Sequence, residues 1–134
     1  MFVEMARTTD LLSRGPAQLL KQANLSPAQY NVLRILRGAA EGLLCGEIAE
    51  RMITRDPDIT RLLDRMEKRD LLRRERDATD RRRVLVRITP EGLAVLSRLD
   101  GPMQDLHRSQ LGHLAPKRLQ ELIRELQACR PIEK

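Results

Sequence analysis

The sequence has almost no aromatic residues: one Tyr, one Phe and no Trp in 134 residues. Proteins that hold single-stranded nucleic acid without sequence preference stack its bases on aromatic side chains, so the composition argues against that class. Histidine is equally scarce. His107 and His113 lie six residues apart and therefore do not share a helical face well.

Cysteine is also scarce, and long apolar runs are missing. Cys45 and Cys129 match neither a metal-ligand spacing nor a disulfide framework, so we predict no metal and no cofactor. No apolar run approaches the ~18 residues of a membrane-spanning helix, and no signal peptide is visible. These observations predict a cytoplasmic protein with no membrane partner.

Enzymatic motifs are not found either. The sequence contains no Gly-rich phosphate loop, no nucleophile elbow and no convincing Ser/His/Asp or metal-binding set. We therefore predict that the chain is not an enzyme and has no catalytic residues.

Positive charge, by contrast, is abundant and local. The formal net charge is +6, and residues 51–90 hold 13 Arg or Lys and 8 Asp or Glu, a local excess of +5. A basic patch of this kind attracts a polyanion, usually nucleic acid. The alternative is a merely solvated basic face.

Helical signals flank and precede this basic segment. Residues 1–25 are predicted to be helical, with an interruption and restart at Gly15-Pro16. Ser26 and Pro27 begin a strongly apolar helix that ends near Gly38. In the long helix after Thr89, Gly101-Pro102 is expected to produce a kink or a break.

Two short amphipathic segments form a helix-turn-helix candidate. In both, apolar residues recur at positions i, i+3, i+4 and i+7, a pattern that favours a small core residue over a redox sensor for Cys45. Asp56 is expected to cap the second helix and Pro57 to start it. The two stripes consist of Cys45, Ile48, Ala49 and Met52, and of Ile59, Leu62, Leu63 and Met66.

The period then changes from 3.6 to 2, which is typical of a strand. In "RRVLVRIT", Val84, Val86 and Ile88 share one face. "LLRRER" can form the partner strand, and "DATDRRR" supplies the turn. The predicted fold is therefore mainly α with a small β hairpin: a winged helix-turn-helix core flanked by N- and C-terminal helices.

The sequence resembles the MarR family of bacterial transcription regulators over about residues 25–99. The resemblance rests on the wing pattern Asp-x-Arg-x-x-x-Val-x-Leu-Thr together with "DITRLLDRME" upstream. In this sequence the pattern is formed by Asp80, Arg82, Val86, Ile88 and Thr89, with isoleucine in the position of leucine. Asp70 stands where the family usually has Gly.

The resemblance implies a homodimer that binds a palindromic operator in double-stranded DNA. We expect a repressor, and the alternative is an activator. Residues 1–25 and 90–134 would build the dimer, and residues 26–89 would bind DNA. Arg82 would enter the minor groove, braced by Asp80. Major-groove candidates are Thr60, Arg61 and Arg65, and phosphate candidates are Arg55, Arg73, Arg74, Arg81 and Arg83.

Two questions stay open from the sequence. The family often releases DNA when a small molecule binds, and Tyr30 is either a residue of such an effector site or a core residue. The alternative function is a protein-interaction module, in which the winged helix docks an acidic partner. Salt and sequence dependence of DNA binding would separate the two.

Overall fold

Over residues 1–132, the fold consists of helices arranged around a small antiparallel sheet, whose last strand in chain order lies between the other two. The computed structural model describes residues 1–132. This architecture confirms the predicted fold class, mainly helical with a winged helix-turn-helix core. Over the described residues the elements are α1 (Phe2–Gln22), α2 (Pro27–Arg37), β1 (Leu43–Leu44), α3 (Cys45–Arg51), α4 (Ile59–Lys68), β2 (Leu72–Arg76), β3 (Val84–Ile88), α5 (Pro90–Leu111) and α6 (Pro116–Ala128).

The core lies between the sheet and the apolar faces of α2, α3, α4 and α5. Helix α2 starts as predicted: Ser26 Oγ accepts from the Gln29 N–H at 3.1 Å, and Gln29 Oε1 accepts from the Ser26 N–H at 3.0 Å. Cys45 is partly buried against this core, as its stripe predicted. The most completely buried side chains are Val32, Leu33, Leu36, Ile48, Leu63, Met66, Leu72, Val86 and Leu96.

Helix α4 begins two residues later than predicted. Its N-cap is Asp58, which accepts from the Arg61 N–H at 3.2 Å. Asp56, the expected cap, instead accepts from the Asp58 N–H at 2.8 Å. Pro57 therefore lies in the turn before the helix. The error arises because two Asp residues, two positions apart, offer alternative caps with the same local chemistry.

The sheet has one strand more than the predicted hairpin. β1 pairs antiparallel with β3, with Leu43 opposite Val86 and Leu44 opposite Leu85. A two-residue strand is too short to display a period of two, so no alternation in the sequence indicates it. Its pairing partner lies some forty residues away, and only the folded chain brings them together.

The predicted interruption at Gly15-Pro16 is wrong, because α1 continues through both residues. Proline lacks an N–H, so Pro16 leaves the Leu12 carbonyl without its usual helical donor. The Gln110 side chain of α5 donates to that carbonyl at 2.9 Å. A Cβ at Gly15 would lie 3.0 Å from Leu106 Cδ1. The dipeptide is therefore the crossing point of α1 and α5. Helix α5 likewise is not divided at Gly101-Pro102.

This arrangement makes Gln110 conditionally important. Gln110→Leu should lower the free energy of unfolding by about 1–2 kcal/mol, because the partly buried Leu12 carbonyl loses its donor. In a Pro16→Ala background, residue 16 regains its N–H, and the same substitution should cost close to nothing. Urea unfolding of the four proteins in this cycle measures the coupling. Equal costs of Gln110→Leu in both backgrounds would contradict the assignment.

Candidate nucleic-acid interface

Helix α4 buries one face and exposes a polar one. Leu62, Leu63 and Met66 are buried in the core, as their spacing predicted. The opposite face carries the three major-groove candidates, and all of them are exposed: Thr60, Arg61 and Arg65. Asp58 caps the helix, so the element is well formed at the N-terminal end, which in helix-turn-helix proteins meets base edges.

The side chain of Arg74 is partly buried and is held against α4. The backbone N–H of Arg74 donates to Glu67 Oε2 at 2.8 Å, and its Nη2 donates to Glu67 Oε1 at 3.0 Å. The same guanidinium pairs with Asp64. Asp64 thus orients an arginine that belongs to β2. Arg74 therefore fastens α4 to the wing.

The electrostatics of this link follow from its hydrogen bonds. The side-chain hydrogen bond from Arg74 lowers the pKa of Glu67 below its ordinary 4.5, and the same bond raises the pKa of Arg74. Because the folded-state pKa of Glu67 is lowered, the link stabilises the protein above about pH 4.5 and loses this contribution as the pH falls through the lowered value. At neutral pH the helix and the wing are joined.

The wing tip is a turn shaped by its own acidic residues. Asp80 Oδ1 accepts from the Arg82 N–H at 3.1 Å and from Arg82 Nε at 3.3 Å. Asp77 accepts from the Thr79 N–H at 3.1 Å, and this hydrogen bond lowers the pKa of Asp77. Arg76 donates to the Arg81 carbonyl at 2.8 Å. These contacts fix the turn so that it presents charge to solvent.

The cations of the wing are exposed to different degrees. The Arg82 side chain is 92% exposed even though it contacts Asp80, so its guanidinium can reach a partner. Arg83 Nη1 lies 3.9 Å from Asp77 Oδ2. Arg55, Arg73 and Arg81 are exposed. Of the arginines proposed from the sequence, Arg74 is the one whose head group is enclosed by two carboxylates.

Sequence reasoning missed two residues that build this surface. Glu67 anchors Arg74, and Arg76 holds the backbone of the turn. The signal for Glu67 was its position one helical turn after Asp64, which places two carboxylates on one side of α4. Arg76 carried no signal, because its partner is a backbone carbonyl.

Tyr30 borders a small concavity between α2 and α5. Its ring lies 5.8 Å from Arg34 Cζ, within the range of a cation–π contact. Arg37 Nη1 donates to Asp100 at 2.9 Å across the same opening. The concavity has a volume of about 140 Å³, below the ~300 Å³ of a typical ligand pocket. Its lining residues are Tyr30, Arg34, Arg37, Asp100, Met103, Gln104 and His107.

Within residues 1–132, none of the helices is both long and apolar enough to cross a membrane. Within the same residues, no group of three or more His, Cys, Asp or Glu side chains is arranged to hold a metal ion.

Comparisons with known proteins identify the family. A model of the MarR family matches residues 23–83. The transcriptional regulator HosA of Escherichia coli is 33% identical over 77% of this chain and 75% of its own length. A MarR transcription factor from Planctomyces limnophilus is 40% identical, with a TM-score of 0.72 over 96% of this chain and 93% of that structure.

A third relative is similar in fold. BpsR of Bordetella bronchiseptica superimposes with a TM-score of 0.86 over 99% of this chain and 94% of its own, at 22% identity. In BpsR, 6-hydroxynicotinic acid regulates DNA binding. The relatives are transcriptional regulators, which confirms the prediction that the chain is not an enzyme. The chain belongs to the MarR family of winged helix-turn-helix transcriptional regulators.

Proposed function

We propose that this protein binds a specific sequence in double-stranded DNA as a homodimer and regulates transcription from it, most simply as a repressor. The observation that carries the proposal is the pairing of two exposed basic elements linked by Arg74: the outer face of α4, and a wing tip on which Arg82 is 92% exposed. A helix of this kind fits the major groove, and an arginine on a wing fits the minor groove, whose negative potential attracts it.

Individual roles follow from exposure and chemistry. Arg61 and Arg65 can each donate two hydrogen bonds to O6 and N7 of guanine, and Thr60 can contact a base or a phosphate. Arg55, Arg73, Arg81 and Arg83 are assigned to phosphates, since an exposed guanidinium contributes to binding through charge. Arg74 is assigned to positioning the wing, because Glu67 and Asp64 already engage its Nε and Nη2 donors.

The outer helices support a dimer. No residue of α6 is buried, although the helix is amphipathic, and its Leu122, Ile123 and Leu126 are 46%, 54% and 42% exposed. Phe2 and Leu11 of α1 are 81% and 59% exposed. Apolar stripes on two helices of one chain are stabilised most simply by a second copy. We therefore assign residues 1–25 and 90–134 to dimerisation and residues 26–89 to DNA binding.

A small molecule that releases DNA would have a place in the concavity at Tyr30. The concavity lies where α2 of the DNA-binding region meets α5 of the dimerisation region. Its Tyr, Arg, Gln and His side chains suit a small polar aromatic compound better than a purely apolar one. At about 140 Å³ the space must open to hold a compound of that size, which would change how the two regions meet.

Selection from a pool of random duplexes tests the proposal. The purified protein, at about 150 mM salt with competitor DNA, should enrich a palindrome whose half-sites lie one helical turn apart, ~10 base pairs. Arg61→Ala or Arg65→Ala should relax preference at one base position of each half-site, at about 1–3 kcal/mol for a bidentate contact. Glu121→Ala on α6 serves as a control.

Other outcomes have distinct meanings. A uniform loss of affinity over all DNA sequences would indicate that the substituted arginine contacts a phosphate and not a base. No enrichment by the unsubstituted protein, together with binding to an acidic protein partner, would replace DNA binding with the docking function.

A further inference from the structure

The C-terminal end of α4 is fastened to the turn that follows α1. Arg69, the C-cap residue of α4, donates from Nη1 to the Asn24 carbonyl at 2.5 Å. Asn24 lies between α1 and α2 in the left-handed conformation, with φ 57°. Residues with short polar side chains adopt this conformation most readily. The contact thus joins the recognition helix to the end of a proposed dimerisation helix.

The same end of α4 is also fastened to the start of α5. Thr89, the N-cap of α5, donates from its backbone N–H to the Leu71 carbonyl at 3.2 Å and from its hydroxyl to the Asp70 carbonyl. Asp70 has φ 59°, so the chain turns sharply here, as its place in the resemblance anticipated. Three consecutive residues, 69–71, therefore connect α4 to both long outer helices.

The N-terminal end of α4 is held differently. Its hydrogen bonds among the described residues are local: Asp58 accepts from Arg61, and Asp56 accepts from Asp58. A ten-residue helix is about 15 Å long. Pivoting it by about 10° at the C-terminal end would move the N-terminal end by about 2.6 Å, which is close to the ~3.4 Å rise of one base pair.

We propose that Arg69 is a positioning residue that sets the spacing of the half-sites the dimer accepts, by fixing the angle of α4 relative to α1. This inference rests on the proposed function, because spacing has a meaning only for a dimer on DNA. Arg69 does so without contacting DNA: its guanidinium is engaged with Asn24, at the end of α4 opposite the one that meets the bases.

The test uses duplexes that carry the selected half-sites at the preferred separation and at separations one and two base pairs longer or shorter. Affinities are measured for the unsubstituted protein, Arg69→Met and Lys68→Met. Lys68 is the matched control, since it is an exposed neighbouring cation that makes no hydrogen bond to Asn24. Arg69→Lys keeps a donor and a charge and should restore most of the discrimination.

The expected result is a loss of spacing discrimination without a loss of half-site recognition. In Arg69→Met, the ratio of affinities at preferred and displaced spacings should fall roughly fivefold, the factor that corresponds to the net contribution of one typical hydrogen bond. Lys68→Met should keep the ratio. The base preference within a half-site, and the affinity for a duplex with one half-site, should not change.

Three results would overturn the inference. Equal weakening at every spacing with a smaller salt slope would make Arg69 a phosphate contact. A lower melting temperature with an unchanged spacing profile would make its role structural only. Equal effects of Arg69→Met and Lys68→Met would show that both residues act through their charge alone. Failure of the proposed function would appear separately, as an unsubstituted protein that enriches no palindrome, and the inference would fall with it.

Discussion

Replacing Gly92 with alanine should lower the free energy of unfolding by about 3 kcal/mol and the melting temperature by roughly 10 °C. A Cβ at this position would lie 2.3 Å from the Leu71 carbonyl oxygen and 2.8 Å from Ile88 Cγ1. The backbone of Leu71 has little freedom to move, because it also accepts the Thr89 N–H. Thermal unfolding at a fixed protein concentration measures the effect.

Gly46→Ala is the matched control for this experiment. A Cβ at Gly46 would meet nothing within 4 Å, and alanine has the higher helix propensity, so stability should be unchanged or rise by up to about 1 kcal/mol. If the Gly92→Ala protein had the same melting temperature as the unsubstituted protein, the result would contradict the close packing of α5 on the start of the wing.

Arg82→Ala should weaken binding to the selected operator by roughly 30- to 150-fold, at about 1–1.5 kcal/mol for each of two subunits. The guanidinium is exposed and is braced by Asp80, so its loss should leave the melting temperature and the dimer unchanged. Fluorescence anisotropy with a labelled duplex at about 150 mM salt measures the affinity.

The control for Arg82 is a variant with the same change of charge elsewhere. Arg124→Ala on α6 removes one positive charge far along the chain from the wing, and it should alter affinity by less than about threefold through the long-range field alone. Equal losses in the two variants would reduce the role of Arg82 to net charge. An unchanged affinity in Arg82→Ala would remove the minor-groove contact altogether.

Local signals in the sequence predicted the central elements well. The stripe Leu62, Leu63 and Met66 is buried as its spacing indicated, and Ser26 and Thr89 cap α2 and α5. These features depend on neighbours within four residues along the chain, where helical geometry alone decides which groups meet. The wing was predictable for the same reason, since its alternation and turn chemistry are local.

Features that depend on distant partners were not predictable. Pro16 lies in a continuous helix, and Gln110, nearly one hundred residues later, donates to the carbonyl that the proline leaves free. β1 exists only through its pairing with β3. Secondary-structure propensity takes no account of partners that are distant in the chain. Tertiary contacts therefore override the propensity of a proline or of a two-residue segment.

The candidate site was located from the sequence, but the arginines within it could not be sorted. Arg73 and Arg74 are adjacent and chemically identical, yet Arg73 is exposed while Arg74 is enclosed by Glu67 and Asp64. Their strand alternation predicts opposite faces but not which face meets α4. That choice follows from the register of β2 against β3, with Arg74 opposite Val86.

In the proposed function, α4 and the wing contact the same duplex in adjacent grooves. Hydroxyl-radical and guanine-methylation footprints on the selected operator test it most directly. We expect guanine N7 protection in each half-site, lost in Arg61→Ala or Arg65→Ala, and flanking minor-groove protection, lost in Arg82→Ala alone. Protection confined to one groove, or flanking protection that survives Arg82→Ala, would contradict the account.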